Sequence, residues 1–312
     1  MKHKKWTRGL ALVAVVAIVA VGCSDKKSSD SSDKGSGGST ASGPTIRISS
    51  QAFGEQETLA NVYGQYLKAH GFNVDVQRPI GTRAQIIAAM KAGKVDLELD
   101  YQASLATQLV PDSAVSPDAA ATYQRLLSAL KGTGLEAAAS APAQDGNALV
   151  ALKSWATKNH VTSISDLKKI QDQVTIGGAA ECKDRPDCLK GYENPAYYGL
   201  KFKGFKVVAY GPPLVAGLQS DAIQVAQYQT SAAEVATGQI VILTDDKHLQ
   251  SPENVVPVFR SKVASAKLTA ALNTLSAKIT SKDLSAWNKS TDIDKDEPAD
   301  VASAWLKSNG LN

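Results

Sequence analysis

Two carboxylates, a set of tyrosines and a pair of cysteines are the residues of this 312-residue chain whose types and spacing suit chemistry. Glu55 and Asp100 would serve as an acid pair of the glycosidase kind if the fold brought them together. Each also has a plainer reading. Glu55 is an acid in the first turn of a helix, where the helix dipole favours it, and Asp100 is a residue at a strand end. Spacing along the chain does not define catalytic geometry. No G-x-S-x-G, H-E-x-x-H, phosphate loop or dinucleotide fingerprint occurs. The chain therefore reads as a non-enzyme without a cofactor.

Tyrosine supplies nine of the eighteen aromatic residues. Tyr101, Tyr197, Tyr198, Tyr210 and Tyr228 fall at strand ends or turns. A ring face attracts a cation, by about 2 kcal/mol where the contact is desolvated. The commoner use of a tyrosine is half-buried packing with a wet hydroxyl. Cys182 and Cys188 enclose the pentapeptide KDRPD. With Cys23 set aside they are an even pair, which in an exported protein reads as one local disulfide. The four histidines, His3, His70, His160 and His248, are scattered and none is near the pair, so a zinc site is not expected.

The elements that must hold these residues alternate. Thr45–Ile48 and Val74–Gln77 read as strands, and Val95–Leu99 as a third that leads directly to Asp100 and Tyr101. Between them lie a helix over Gln56–His70, closed by Gly71, and one capped by Thr82 that carries Ile86, Ile87 and Met90. Pro117 opens a further helix through Leu130, with Ser116 as its cap. The rhythm then repeats, with strands at 148–152, 174–176, 206–209, 222–226 and 240–243 and helical patterns between and after them. Such alternation predicts α/β architecture. Two sets of elements suit two lobes with a cleft between, where small-molecule sites prefer to lie.

The N-terminus reads as an address. Lys2, Lys4, Lys5 and Arg8 precede an uncharged apolar run from Leu10 to Val21. That run is too short to span a bilayer and fits a signal peptide over residues 1–22. Val21-Gly22-Cys23 resembles a lipobox, which makes Cys23 the lipidated residue of an extracytoplasmic protein anchored to the cell membrane. Residues 23–44, rich in Ser, Gly, Asp and Lys, read as a flexible tether. The formal net charge of +4 belongs to the leader, which carries four basic residues and no acid. The remainder holds 30 of each sign and no basic patch, so nucleic-acid binding has no support.

Several stretches, in order from about Thr45 to the C-terminus, resemble the substrate-binding component of glycine betaine/choline/proline-betaine ABC importers. Ser50-Gln-Ala-Phe-Gly-Glu-Gln56 is similar to that family's S-K-x-F-T-E-Q turn. Gly81-Thr82, then Lys91 to Tyr101, is similar to its segment ending in E-Y-T-G-T. Glu181 to Gly191 resembles E-F-x-x-R-x-D-G, Ala196–Leu200 resembles x-x-Y-G-L, and Gln227–Ser231 resembles D-A-Y-T-T-D. Val241–Lys247 and Val256–Arg260 are similar to V-V-L-x-D-D-K and A-P-V-V-R.

The resemblance implies a type II periplasmic-binding-protein fold. Residues 45–144 and 251–312 would form lobe I and residues 145–250 lobe II. The chain would capture a small quaternary-ammonium solute such as glycine betaine or choline and pass it to an ABC permease driven by ATPase subunits. Tyr101 and Tyr228 match positions of an aromatic cage. Gln51 and Thr82 match lobe I positions at the ligand's polar end, with Asp100 beside Tyr101. Arg185 matches a basic residue that reaches a carboxylate. Two cage positions depart from the family and are Pro79 and Glu253 here. A negative Glu253 favours a cation without a carboxylate. Two other readings stand beside this one: the same fold taking a polyol or phenolic ligand, and a sensor lipoprotein that imports nothing.

Overall fold

The computed structural model describes residues 43–111 and 116–312. The leader expected over residues 1–22, the lipidation expected at Cys23 and the expected tether as far as residue 42 lie outside the described residues.

Among the described residues, ten strands form two sheets of five. The chain runs through β1 (Ile46–Ile48), β2 (Val74–Val76), β3 (Leu97–Tyr101) and β4 (Leu135–Ala137). It then builds the second sheet from β5 (Asn147–Leu152), β6 (Thr175–Gly178), β7 (Gly204–Val207), β8 (Val225–Gln229) and β9 (Ile240–Ile242). With β10 (Val255–Arg260) it returns to the first. The strand orders are β2-β1-β3-β10-β4 and β7-β6-β8-β5-β9. In each sheet three neighbouring strands are parallel. A fourth, reached by crossing from the other half of the chain, lies antiparallel beside them. The result is the two-lobed α/β architecture that the alternation predicts.

Helix α1 (Gly54–Ala69) places Leu59, Val62, Tyr63 and Leu67 on one face, where they are buried with Ile48, Leu97 and Leu99 of the sheet and Leu268, Leu272 and Leu275 near the C-terminus. Burial of each such side chain is worth about 1.5–3 kcal/mol. A Cβ at Gly64 would lie 2.3 Å from Val76 Cγ2, so glycine is what lets α1 approach β2 so closely. The opposite face of the sheet is covered by α2 (Arg83–Lys91), α3 (Gln102–Leu109) and α4 (Ala119–Leu130), whose Ile86, Met90, Leu105 and Leu126 pack with Val256 and Val258.

Several local expectations are corrected. β3 runs past the expected end at Leu99 through Asp100 and Tyr101, and α3 starts at once at Gln102. The expected strands at 206–209 and 222–226 fall at 204–207 and 225–229. α4 begins at Ala119, and its cap is Asp118, whose carboxylate accepts from Ala121 N at 2.7 Å; Ser116 Oγ instead accepts from Asp118 N. In β10, Pro257 sits opposite Leu99 inside the sheet, a place that proline normally avoids. Its carbonyl still accepts from Ala138 N at 3.0 Å, and the surrounding valines are fully buried, so packing outweighs the missing N–H.

In the second lobe Cys182 and Cys188 are joined, with Cα atoms 5.2 Å apart and both sulfurs in the core. The loop they close sits tightly. A Cβ at Gly191 would lie 2.1 Å from Pro186 O.

Candidate ligand-binding cleft

Two chain segments cross between the lobes. Gln144 bridges Asn254, and Asp145 N donates to Glu253 O at 3.1 Å. Thr230 of the second lobe is tied to the first of them, donating from N to Gly146 O and from Oγ1 to Gln144 O. The parallel strands β3 and β8 end toward this crossing; Asp100, Tyr101 and Tyr228 lie in their last residues, and Glu253 lies in the second crossing segment.

On the first lobe they gather around Arg83. Strand alternation sends Leu97, Leu99 and Tyr101 into the core under α1 and Asp96, Glu98 and Asp100 to the other face. Asp100 is fully buried and accepts from Arg83 Nε at 2.8 and 2.9 Å, from Tyr101 N at 2.7 Å and from Gln51 Nε2 at 3.4 Å. Glu98, two residues earlier, is equally buried and its oxygens have no hydrogen-bond partner. Burial raises both carboxyls, with Arg83 opposing. Glu253 turns to the start of α3, accepting from Ala103 N, Ser104 N and, at 2.6 Å, Ser104 Oγ. Thr82 opens α2, its N–H and hydroxyl both donating to Gln85 Oε1. Gln51, Asp100 and Glu253 are thus brought together around the Arg83 guanidinium, and Thr82 precedes Arg83 at the start of the same helix.

Tyr101 faces a second cluster, which spans the lobes. Its hydroxyl donates to Glu55 Oε1, and Asn288 Nδ2 donates to Glu55 Oε2 at 2.6 Å. The same Nδ2 donates to Ser231 O of the other lobe at 2.8 Å, and Ser231 Oγ donates to Asp145 in the crossing segment at 2.5 Å. Burial first, and then the neighbouring Asp145, push the Glu55 carboxyl up to about 8; burial pushes Asp145 up to about 6. Glu55 and Asp100 therefore hold to different partners and do not meet as a pair.

The second lobe contributes an aromatic wall. Tyr228 stacks on Tyr210, with centroids 6.0 Å apart and planes 23° apart, and its hydroxyl donates to Glu234 at 2.8 Å. Tyr210 is 41% exposed and lies within the field of Arg185. Asp292 of the first lobe acts on Tyr228, and the same carboxylate would lie 3.2 Å from a Cβ at Gly54. The wall thus looks across at the start of α1. Arg185, in the disulfide loop, is gripped by Asp187 through Nε at 2.9 Å and Nη2 at 2.5 Å. Pro79 stands in the irregular segment before the Gly81 bridge to Gln51.

Arg83, Asp145, Asp187 and Asn288 are the residues that sequence reasoning missed. The i, i+2 repeat of acids at 96, 98 and 100 is the signal that asks for a nearby cation such as Arg83. Nothing local marks Asn288, which lies 233 residues from its partner Glu55.

The family model described as the substrate-binding domain of ABC-type glycine betaine transport systems matches residues 44–308. The chain belongs to this family. It is a family of transport substrate-binding proteins and not of enzymes. The carnitine transport binding protein OpuCC of Listeria monocytogenes is 24% identical over 282 residues, which is 86% of this chain and 88% of that protein. The glycine betaine-binding protein YehZ of Escherichia coli (strain K12) is 23% identical over 85% of this chain and 90% of its own length. In fold the chain is similar to a crystal structure of a glycine betaine/carnitine/choline ABC transporter, with TM-score 0.79, 20% identity, and coverage of 85% and 99% of the two chains. It is also similar to apo YehZ from E. coli, with TM-score 0.76, 23% identity, and coverage of 86% and 100%. Among the described residues no helix is long and apolar enough to cross a membrane, and no cluster of three or more His, Cys, Asp or Glu could hold a metal.

Proposed function

We propose that this substrate-binding protein captures a quaternary-ammonium compatible solute of the glycine betaine, carnitine or choline class outside the membrane and delivers it to an ABC permease and its ATPase subunits. The observation that carries the reading is the wall of the second lobe, where the stacked Tyr210–Tyr228 pair stands beside a guanidinium, Arg185. A quaternary ammonium has no N–H to donate, so ring faces take the place of water around it. Arginine is the side chain best shaped for the carboxylate at the other end of a betaine. The first lobe would add Gln51, Thr82 and Tyr101, and Asp100 and Glu253 would hold Arg83 and α3 beneath them. Closure about the two crossing segments would bring the lobes together on the solute.

Calorimetry of the purified protein against glycine betaine, carnitine and choline tests this. Tyr228→Ala is expected to weaken binding about 5–30-fold, the scale of one desolvated cation–π contact. Tyr228→Phe should lose much less, because the ring face remains and only the hydroxyl contacts, to Glu234 and to the Gly211 backbone, go. If none of the three solutes binds at millimolar concentration, the ligand class is wrong.

A lipid on Cys23 would hold the protein at the membrane through its tether. The Cys23→Ala chain is expected in the soluble fraction and the unaltered chain in the membrane fraction after detergent-free washing. Equal partition of the two would reject the anchor.

A further inference from the structure

The Arg185 side chain has five N–H donors, and the structure uses them unevenly. Nε and Nη2, the side edge of the fork, are both occupied by Asp187. Nη1 makes no hydrogen bond among the described residues. Asp187 is itself fixed from two other directions. Its Oδ2 accepts from Asn147 Nδ2 at 2.9 Å, and its backbone carbonyl accepts from Gln250 Nε2 at 3.0 Å. Asn147 opens β5 just after the first crossing segment, and Gln250 immediately precedes the second. The disulfide between Cys182 and Cys188 closes the same loop at its base. The loop is thus anchored to the core by sulfur and to both crossing segments by Asp187.

We propose that Asp187 is a positioning residue that selects the ligand's anionic end: by gripping the side edge of Arg185 it turns the Nη1 edge toward the cleft and holds it there for a carboxylate. This rests on the reading of Arg185 as a cleft residue. A long flexible side chain loses substantial rotamer entropy when it binds. Asp187 makes that loss in advance, and does so where the guanidinium stands beside the exposed Tyr210 ring. The contribution therefore belongs to a zwitterion that carries a carboxylate and not to a plain cation such as choline. Asp187 Oδ2 also accepts from Asn147 Nδ2, so the position of Arg185 is linked through Asp187 to the segment about which the lobes move.

The test is Asp187→Asn, which keeps an acceptor for Asn147 but loses the charge and the bidentate grip. Calorimetry should show glycine betaine weakened about tenfold or more, the scale of one charge-assisted hydrogen bond, with choline changed less than about twofold on that same scale. A merely structural role would move both ligands together. Acetate provides a readout that does not depend on the quaternary-ammonium assignment. Followed by NMR at the backbone amides of the Cys182–Cys188 loop, acetate should bind the unaltered protein and bind Asp187→Asn about tenfold more weakly. Arg185→Gln should abolish the acetate response. If betaine and choline weaken equally and acetate binding is unchanged, or if Asp187→Asn binds carboxylates more tightly because the aspartate had been masking the guanidinium, the inference is overturned. If the unaltered protein binds neither betaine nor choline, the proposed solute class fails, and the acetate titration alone decides the role of Asp187.

Discussion

Exchange of Arg83 for methionine is expected to destabilise the folded chain by about 3–5 kcal/mol at pH 7.5, the cost of stranding a buried charge. Asp100 is fully buried and takes both of its short contacts to a cation from Arg83 Nε. Glu98 lies two residues away on the same face of β3, and Glu253 also feels the Arg83 charge. Three carboxylates thus share one guanidinium. Methionine keeps much of the apolar stem and removes only the charge and its donors, so the loss reports electrostatics and not packing. The sign with pH follows from Asp100. Burial already raises its carboxyl against the pull of Arg83, and without Arg83 it rises further. Protonation then relieves the stranded charge, so the penalty should shrink as pH falls toward 5. Adding Asp100→Asn should recover most of the loss at pH 7.5. Denaturant unfolding at both pH values measures this. A loss below about 1 kcal/mol at pH 7.5, or one that is the same at both pH values, would place the pair among weak surface bridges.

The second large effect is a loss of stability with rising pH, centred on Glu55. Its native carboxyl titrates at about 8 and that of Asp145 at about 6, both above the values of an unfolded chain. The native state therefore binds more protons than the unfolded state. The contribution is fully present below the unfolded carboxylate pKa and is lost as pH rises through 6 to 8. The expected loss between pH 5 and pH 8.5 is on the order of 2–4 kcal/mol, taken conservatively because the two acids interact. Glu55→Gln resembles the protonated acid. Its oxygen can accept from Asn288 Nδ2, and its amide can donate to the Tyr101 hydroxyl. The variant should match the unaltered protein near pH 5 and exceed it in stability at pH 8.5. Because Asn288 bonds Glu55 and the Ser231 carbonyl together, the titration is felt where the two lobes touch. A stability difference between the two proteins that stays constant from pH 5 to 8.5 would refute the assignment.

Local pattern carried the sequence reading a long way, and it failed where partners come from far away. Leu59, Val62, Tyr63 and Leu67 repeat at helical spacing, and α1 buries that face. Pro257 hid β10, because a proline argues against a central strand until both neighbours and a buried valine run are known. α3 was missed because Asp100-Tyr101-Gln102 holds no turn residue and no break in polarity between strand and helix.

By itself the sequence determined the α/β class, the two sets of elements and, through ordered short motifs, the family to which the chain belongs, because apolar periodicity and turn chemistry act over a few residues. Through the resemblance it also marked Gln51, Thr82, Asp100, Tyr101, Arg185, Tyr228 and Glu253 as candidate ligand positions. Only the tertiary structure decided what each of them touches. Arg83 reaches Asp100 across 17 residues, Glu253 reaches α3 across about 150, and Asn288 reaches Glu55 across 233. Such contacts depend on which strands lie side by side and on which charges lose their water together. Desolvation and Coulomb energy are set by distances in space, and spacing along the chain does not encode them.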